Sequence, residues 1–521
     1  MKTLTRRELL RLAGAAALAL PALGGCGTDD PNKQDGSTGT LFPSVAALPE
    51  PFKVPLPIPP VLAPVRSDAD ADYYEIVQRP ARVAILPGLL TEIWGYNGIF
   101  PGPTIESRRG RRAVVTHRNE LPAPTVTHLH GAKTPPEHDG YPLDLVLPVG
   151  GGGGHAAGHG GGAVSEGERT YDYPLEQPAA TLWYHDHRMD FTGPQVWRGL
   201  AGFHIHRDEV EDALPLPKGE REIPLMICDR SFNADGSLRY PSLDPSLHGA
   251  PGVSREAMHG VLGDVTLVNG APWPVLEVAN VRYRFRILNA SNARRYKLAL
   301  DPAPAGASFV QIGSDQGLLG GPARHAEIEI AQAERFDVLI DFGQYPVGSE
   351  VTLVNRNAAG GPGLVMRFRV ARAATEDSQV PERLAPFDAL DRAGAAGGAE
   401  RFLNFARQVS RDGVQLWTIN GRTFDPAHSE AQVPLGATEI WRLHTNVNHP
   451  VHIHLGRFQV LSRAGGPPRP TDAGWKDTID LRSNEEAEVI VRFEGYRGRY
   501  VCHCHNLEHE DMMMMANFDI V

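Results

Sequence analysis

Cysteine is scarce in this chain of 521 residues, which has only Cys26, Cys228, Cys502 and Cys504. So few cysteines exclude a disulfide-rich scaffold and a cysteine-rich metal cluster. Positive charge is also in short supply, because 51 Lys and Arg stand against 62 Asp and Glu and leave a net charge of −11. Nucleic-acid-binding proteins usually carry a basic surface, so we expect no nucleic-acid partner.

Long helical patterns and long apolar runs are missing as well. The 55 Gly and 44 Pro make the chain rich in turn-forming residues, which disfavours a helical bundle. No apolar run approaches the roughly 20 residues that a transmembrane helix needs. The 22% of charged and 7% of aromatic residues argue against wholesale disorder. At about 150 residues per domain, the length predicts three domains.

The N-terminal segment, residues 1–26, has the pattern of an export signal. Arg6 and Arg7 precede an apolar stretch, residues 12–23, that is too short to cross a bilayer and is similar to that of a twin-arginine signal. The LGGC sequence ending at Cys26 resembles a lipoprotein cleavage box with this cysteine acylated, and the alternative is an ordinary signal cleaved nearby. We therefore expect a bacterial exported protein, either periplasmic or anchored to a membrane by lipidation.

Three stretches of low complexity divide the remaining chain. Residues 27–66 are polar and then Pro-rich, which predicts a tether followed by an extended arm. Residues 150–162 are mostly glycine, and His155 and His159 within them either bind metal weakly or are only part of a flexible loop. Residues 374–399 are rich in Ala, Gly and Asp and are the best candidate for a long interdomain linker.

An internal repeat indicates how the domains are organised. Asn-Gly dipeptides that begin at Asn97, Asn269 and Asn420 each precede a segment of alternating apolar and polar residues. This combination is typical of a hairpin followed by a half-buried strand. The copies begin about 150 to 170 residues apart, so the sequence predicts an all-β protein of three similar sandwiches or barrels. The predicted domain limits are 67–207, 208–374 and 375–521, the last including the linker.

Histidine is the unusual component, since ten of the 21 histidines fall in four clusters. Two clusters belong to the first predicted domain and two to the third. Residues i and i+2 of a β-strand project from the same face, so each His-x-His pair aims two imidazoles in one direction. Eight imidazoles are too many for one ion and suit a metal cluster, whereas satisfied core histidines are the alternative for any single pair. The pairs are His128 and His130, His185 and His187, His452 and His454, and His503 and His505.

A second ligand set faces away from these pairs. Cys504 lies between two of the paired histidines and therefore points to the opposite face of its strand. His449 is three residues from His452, and this odd offset turns it away in the same manner. Cys504, His449 and His509 with a nearby Met form the donor set of a blue copper site, whereas structural zinc usually recruits several thiolates. The imidazole cluster suits copper, although imidazoles alone would also accept zinc, iron or nickel.

In order and spacing, the four clusters resemble the copper motifs of multicopper oxidases. The stretches HLHG, WYHDH, HPVHIHLG and HCHNLEHED look like those of bacterial laccases and bilirubin oxidases, and the match covers essentially the whole chain after the arm. The resemblance implies cupredoxin-like Greek-key domains and four copper ions, one of type 1, one of type 2 and two of type 3. The ligands it implies are His449, Cys504, His509 and Met514 for type 1; His128 and His452 for type 2; and His130, His185 and His505, with His187, His454 and His503, for type 3.

The resemblance also implies an activity. A small aromatic reductant (a phenol, an aromatic amine or a tetrapyrrole) would be oxidised at the type 1 copper, and O₂ would be reduced to water by four electrons at the trinuclear centre. Electrons would cross through Cys504 into His503 or His505. Glu510 and Asp139 match acidic positions implicated in proton delivery, and Asp139 is also the first residue of an Asp-Gly turn signal. We expect a monomer.

Other functions fit the sequence less well. A metallo-oxidase of Cu(I) or Mn(II) from the same family is the main alternative, but five of the nine methionines are scattered rather than gathered in a Met-rich insertion. A copper-free scaffold on the same fold would lose ligands, and a copper nitrite reductase needs far fewer histidines.

Two assignments depend on local spacing. The run of four methionines at 512–515 offers several axial ligands, and the family spacing of ten residues after the cysteine selects Met514. Cys502 shares a strand face with Cys504 and either pairs with Cys228 or is a buried free thiol.

Overall fold

The computed structural model describes residues 39–151, 161–395 and 399–521. The predicted signal, Cys26, His155 and His159 therefore lie outside the described residues. Most of the regular structure is β-strand, and the strands form three successive pairs of sheets along the chain. The prediction of an all-β protein is confirmed. No helix of the described residues has both the length and the apolar character needed to cross a membrane.

The first pair of sheets shares one apolar core, in which Tyr74, Val115 and Leu182 are buried. Its strands are β2 (Arg66–Ser67), β3 (Ala71–Val83), β4 (Thr91–Tyr96), β5 (Gly102–Arg108), β6 (Arg112–Asn119), β7 (Thr127–His130), β10 (Glu168–Tyr173), β11 (Ala180–Asp186) and β12 (Ala201–Arg207). One sheet has the order β10-β6-β3-β2 with β4 beside β3, and the other has the order β5-β12-β11-β7. A small separate sheet pairs β8 (Leu145–Leu147) with β9 (Val164–Glu166).

The second pair of sheets holds a core around Phe285 and Phe368. Its strands are β13 (Glu222–Arg230), β15 (Val265–Val268), β16 (Ala271–Pro272), β17 (Val275–Ala279), β18 (Arg282–Asn289), β19 (Tyr296–Asp301), β20 (Phe309–Ser314), β21 (Gly317–His325), β22 (Glu327–Ile330), β23 (Arg335–Asp341), β24 (Glu350–Asn355) and β25 (Leu364–Arg372). The sheet orders are β16-β15-β13-β18-β23-β20-β21 and β17-β25-β24-β19-β22. The N-terminal arm joins this region because β1 (Thr40–Leu41) pairs with β14 (Val261–Leu262).

The third pair of sheets carries the C-terminal histidine clusters and buries Trp441, Val489 and Phe518 in its core. Its strands are β26 (Glu400–Val409), β27 (Gln415–Ile419), β28 (Ser429–Val433), β29 (Thr438–Thr445), β30 (His449–Ile453), β31 (Arg457–Arg463), β32 (Thr478–Leu481), β33 (Glu486–Arg492), β34 (Gly498–Cys504) and β35 (Met515–Ile520). The sheet orders are β27-β26-β29-β33-β31 and β28-β35-β34-β30-β32.

The three Asn-Gly dipeptides form the same turn in each domain. Asn97, Asn269 and Asn420 have φ values of +55°, +49° and +51°, and the glycine after each also has a positive φ. Two successive positive φ values are the requirement of the type I′ turn that closes a two-residue hairpin. The side-chain oxygen of each asparagine accepts a backbone N–H from β3, β13 or β26, and the donors are Val77, Met226 and Asn404. The repeat is therefore present in the fold, while the exact domain limits stay predictions.

Helices are short and occur between strands. The α-helices are α1 (Thr192–Arg198), α2 (Glu209–Ala213) and α3 (Leu507–Asp511), and the 3₁₀ turns are Pro136–His138, Gly219–Arg221, Arg255–Ala257, Phe342–Gln344, Gly361–Gly363 and Pro470–Asp472. Residues 374–395, the described part of the predicted linker, contain neither strand nor helix.

Candidate metal centres

The four His-x-His pairs meet where the first and third domains touch. β7 and β11 pair in antiparallel fashion with His128 opposite His185. β30 and β34 do the same with His452 opposite His503. The first histidine of each pair lies within its strand, and His187, His454 and His505 follow directly after β11, β30 and β34. This register places the pairs side by side. The eight side chains are completely or almost completely buried.

Imidazoles from the two domains lie directly against each other. His128 stacks on His454 with 4.0 Å between ring centroids, and His130 stacks on His452 at 3.7 Å. The Nε2 atom of His503 lies 3.2 Å from the Nε2 atom of His454, and the same distance separates it from the Nε2 atom of a first-domain histidine, His187. The structure thus brings the predicted ligands of the first and third domains into one cluster.

The hydrogen bonds of the rings show which nitrogen each ring offers to a metal. In His128, His185 and His452, Nδ1–H donates to a backbone carbonyl at 2.5 to 2.9 Å, and Nε2 has no hydrogen-bond partner among the described residues. His130 is reversed, because its Nε2 lies 3.1 Å from a carboxylate oxygen of Asp477 and its Nδ1 is without a partner in the described chain. Buried polar atoms without partners are costly, and metal binding satisfies them. The cluster therefore fits several metal ions.

Burial keeps these rings in the form that binds metal. Desolvation lowers the pKa of His185 to about 3 and that of His187 to about 4. The pKa values of His128, His130 and His452 fall well below the ordinary value for the same reason. A neutral imidazole keeps one nitrogen lone pair free, which is the state that ligates a metal.

A second ligand set lies on the other face of β34. The Sγ atom of Cys504 is 3.2 Å from Nδ1 of His449 and 3.6 Å from Nδ1 of His509. The two Nδ1 atoms are 3.1 Å apart, so the three donors converge on one point. Trp417 stacks on His509 at 3.5 Å and meets His449 edge-on. One thiolate with two imidazoles is a donor set that suits copper.

Comparisons with known proteins identify the family. Two family models described as multicopper oxidase match residues 401–521 and residues 79–151 with 159–210. The laccase of Bacillus subtilis is 37% identical over 90% of this chain and 98% of the relative. The chain belongs to the multicopper oxidase family. The bilirubin oxidase of Albifimbria verrucaria is 35% identical over 97% of this chain and 88% of that relative.

A solved structure agrees with this membership. The crystal structure of a multi-copper oxidase from Pediococcus acidilactici has a TM-score of 0.78 and 33% identity, and the match covers 92% of this chain and 93% of that chain. The three sandwiches of this multicopper oxidase are therefore cupredoxin-like domains. The protein is a copper-dependent oxidoreductase, and its two histidine-rich ligand sets fit copper.

Met514, the predicted fourth ligand beside Cys504, packs in the same core as this cysteine. It is fully buried in the apolar cluster that contains Cys504. Its carbonyl accepts the N–H of Cys504 at 3.1 Å, and its own N–H donates to the carbonyl of His509 at 3.0 Å. Met515 and Met513 pack in a different cluster, around Leu143.

The two predicted acidic residues contact different histidines of the cluster. The backbone carbonyl of Asp139 accepts Nδ1–H of His128, and its Oδ2 accepts Nδ1–H of His454 at 2.7 Å. Burial raises the pKa of Asp139 well above its usual value. Glu510 contacts Nδ1 of His503 at 3.2 Å and Nδ1 of His187 at 3.4 Å. Burial alone would raise the pKa of Glu510, but these two imidazoles outweigh it and lower the pKa to about 2.

Sequence reasoning missed two residues beside the ligand sets, Trp183 and Glu508. Trp183 stacks on His185 at 4.1 Å, and its position two residues earlier on the same strand was a usable signal. Glu508 accepts hydrogen bonds from Tyr240 and Asn292 and so ties α3 to the middle domain. Burial raises the pKa of Glu508 to about 7.

The disulfide alternative for the cysteines is wrong. Cys228 and Cys502 are both free thiols and belong to different apolar clusters. Burial raises the pKa of Cys228 to about 11 and that of Cys502 to about 12. Both are therefore unreactive core residues.

Proposed function

We propose that this multicopper oxidase acts as a laccase. It oxidises phenols, aromatic amines or tetrapyrroles by one electron at a time and reduces O₂ by four electrons to water. The observation that carries the proposal is the position of Cys504, which belongs to one ligand set while its chain neighbours His503 and His505 belong to the other. One strand thus joins a one-electron site to a cluster that can serve O₂.

Four copper ions complete the site in this proposal. The type 1 ion is held by His449, Cys504, His509 and Met514, and the type 2 ion by His128 and His452. The two type 3 ions are held by His130, His185 and His505, and by His187, His454 and His503. Bound copper supplies the Cu(II)/Cu(I) couple for one-electron transfer and the place where O₂ is reduced.

The chain itself provides the connection between the two ligand sets. Cys504 is linked by one peptide bond to each of His503 and His505, and the carbonyl of Cys504 also accepts a hydrogen bond from Nδ1 of His503 at 3.1 Å. An electron can therefore cross from the thiolate to an imidazole of the cluster through covalent bonds and one hydrogen bond.

In this proposal, Asp139 and Glu510 have different roles in proton transfer. Asp139 has a raised pKa and an Oδ1 without a partner among the described side chains, so it holds a proton on Oδ1 while Oδ2 accepts from His454. Glu510, whose pKa is lowered, accepts a hydrogen bond from the hydroxyl of Thr192, and its Oε2 lies 3.2 Å from Nδ1 of His503. A protonated acid and a carboxylate beside one cluster suit a reduction that consumes protons.

The ligand groups of the structure favour an organic reductant over a Mn(II) ion. Within the described ranges, every group of three His, Cys, Asp or Glu side chains that could hold a metal lies in the two ligand sets or against them. A Mn(II) substrate would need such ligands of its own beside the type 1 set. A small aromatic molecule needs only a route to the buried imidazoles of His449 and His509.

We also propose that residues 1–26 export the enzyme to the periplasm and that a lipid on Cys26 anchors it to the membrane, with domain limits as predicted and a monomeric state. The intact mass of the mature protein tests the lipid, and its hydrodynamic size tests the monomer.

Oxygen consumption with a phenolic reductant tests the activity, and the chain offers a matched pair of variants. Cys504→Ser should abolish both turnover and the blue thiolate–Cu(II) absorption while leaving copper in the imidazole cluster, because an alkoxyl oxygen is too hard to replace the thiolate. Cys502→Ser changes another buried cysteine of the same strand, whose thiol belongs to neither ligand set, and this variant should keep both turnover and the blue absorption. Turnover by Cys504→Ser would contradict the proposed electron path.

A further inference from the structure

We infer that Arg335 and Asp477 form a clamp by which the middle domain positions two copper ligands, His130 and His452. This inference rests on the copper assignments of the proposed function. The middle domain contributes no predicted ligand, yet Arg335 on β23 reaches the edge of the imidazole cluster. The clamp gives this domain a direct part in building the trinuclear site.

Arg335 joins all three domains through one guanidinium. Its Nε–H donates to the carbonyl of Thr181 in the first domain at 3.0 Å, and two further N–H groups donate to the carbonyls of Ala333 and Asp315 in the second at 2.9 Å each. The remaining two donate to the carboxylate of Asp477 in the third at 2.7 and 2.5 Å. All five donors of the fork are used, so the side chain has one orientation only.

Asp477 is held just as completely. Besides Arg335, its carboxylate accepts from Nε2 of Gln316 at 2.6 Å and from the hydroxyl of Thr478 at 2.9 Å. The two side chains of the clamp are 0% and 1% exposed. Both carboxylate oxygens already receive N–H or O–H donors, so a further polar neighbour is met by an acceptor.

The same aspartate sets the tautomers of two ligands in opposite senses. Its Oδ1, which accepts from Arg335 and Thr478, also lies 3.1 Å from Nε2 of His130, so that nitrogen donates to it and Nδ1 is left for the metal. Its backbone carbonyl accepts Nδ1–H of His452 at 2.9 Å, which leaves Nε2 for the metal. Both liberated nitrogens are the ones without partners among the described residues. Replacing this carboxylate would weaken the first constraint directly and loosen the backbone that imposes the second.

The glycine after His130 makes room for this arrangement. Gly131 has a φ of +88°, and a Cβ atom there would lie 2.7 Å from the guanidinium of Arg335 and 2.9 Å from Oδ2 of Asp477. Its carbonyl accepts Nε2–H of Gln316 at 3.0 Å. The clamp is therefore packed against the backbone that carries the ligand, and not merely near it.

Copper content, visible absorption and EPR of Asp477→Asn test the inference in the full-length copper-loaded protein. We expect the copper of the trinuclear centre to bind on the order of 10- to 100-fold more weakly against a competing chelator, as for other carboxylates that orient histidine ligands. The type 2 EPR signal should change its hyperfine splitting, while the blue type 1 absorption per chain stays that of the wild type. Arg335→Lys keeps the charge but loses the bidentate fork, and it should weaken copper binding less.

Asp472→Asn is the matched control. Asp472 also forms a buried bidentate pair, with Arg463 of the same domain and with both contacts at 2.7 Å, and none of its hydrogen bonds or ion pairs involves a histidine of the cluster. It should lower thermal stability without changing the copper ratio or the EPR signal.

The outcomes separate the clamp from the proposed function. A wild type that takes up no copper overturns the proposed function and the clamp with it. If the wild type binds copper normally, and Asp477→Asn and Arg335→Lys show the same chelator competition and type 2 EPR signal as the wild type, only the clamp is overturned. Equal loss of type 1 and trinuclear copper in Asp477→Asn, or the same changes in Asp472→Asn, would mean a general structural role and would also overturn it.

Discussion

Gly140 lets its turn pack directly against the backbone of β7, which carries the ligand His128. Adding one methyl group at this position tests how much stability and copper binding depend on that contact. The residue has a φ of +79°, and a Cβ atom would lie 2.2 Å from the carbonyl oxygen of Thr127 and 2.7 Å from Cα of His128. Both obstacles are backbone atoms of β7, so they cannot move aside as a side chain could. The preceding residue, Asp139, accepts Nδ1–H of His128 through its carbonyl. Gly140→Ala should therefore disturb both stability and the position of this ligand.

Gly110 provides the control for this substitution. Its φ is +81°, yet a Cβ atom there would have nothing within 4 Å. Gly110→Ala should cost only the about 1–2 kcal/mol of a left-handed non-glycine residue. Gly140→Ala carries the same cost and adds about 1–3 kcal/mol of overpacking, which predicts about 2–5 kcal/mol in total.

Thermal unfolding of the two variants and of the wild type gives the comparison, with copper content measured on the same samples. Gly140→Ala should have the lower Tm and less copper in the imidazole cluster, whereas Gly110→Ala should keep its copper. Equal Tm values and equal copper contents would refute the reasoning that the turn is packed against β7.

Three further predictions follow from the site and its surroundings. Met514→Leu should keep the blue colour and raise the type 1 potential more than Met515→Leu does, because in the proposed assignment only Met514 is a weak donor to this copper; spectroelectrochemical titration checks this. Burial would raise the pKa of Glu211, but Arg286 and Arg284 outweigh it and lower the pKa to about 2. This carboxylate therefore stabilises the fold above pH 4.5 by roughly 3 kcal/mol, a contribution lost as the pH falls toward 2, so Glu211→Gln should flatten the acid limb of the stability profile. Chelation of copper should lower the Tm and added copper should restore it, since one bound ion raises the free energy of unfolding by about 4 kcal/mol at a thousandfold excess over Kd; an unchanged Tm would contradict binding to the native state.

Local geometry explains why so much of the site could be predicted from the sequence. Strand alternation alone separates Cys504 from the imidazoles on either side of it, and the structure shows the thiol beside His449 and His509. The Asn-Gly dipeptides likewise specify their turns through positive φ values that depend only on neighbouring residues.

Features made by distant residues could not be predicted in this way. Arg335 and Asp477 are 142 positions apart and belong to no motif, so their ion pair exists only once three domains have packed together. The low pKa of Glu510 depends on imidazoles that folding brings against it from two domains. Whether Cys228 and Cys502 pair was likewise decided by packing that spacing does not encode.

Metal analysis of the purified protein, combined with its visible and EPR spectra, tests the central claim most directly. The account predicts about four copper ions per chain, an intense blue thiolate–Cu(II) absorption, and separate type 1 and type 2 EPR signals. A protein that stays colourless and free of copper after reconstitution with copper would contradict it.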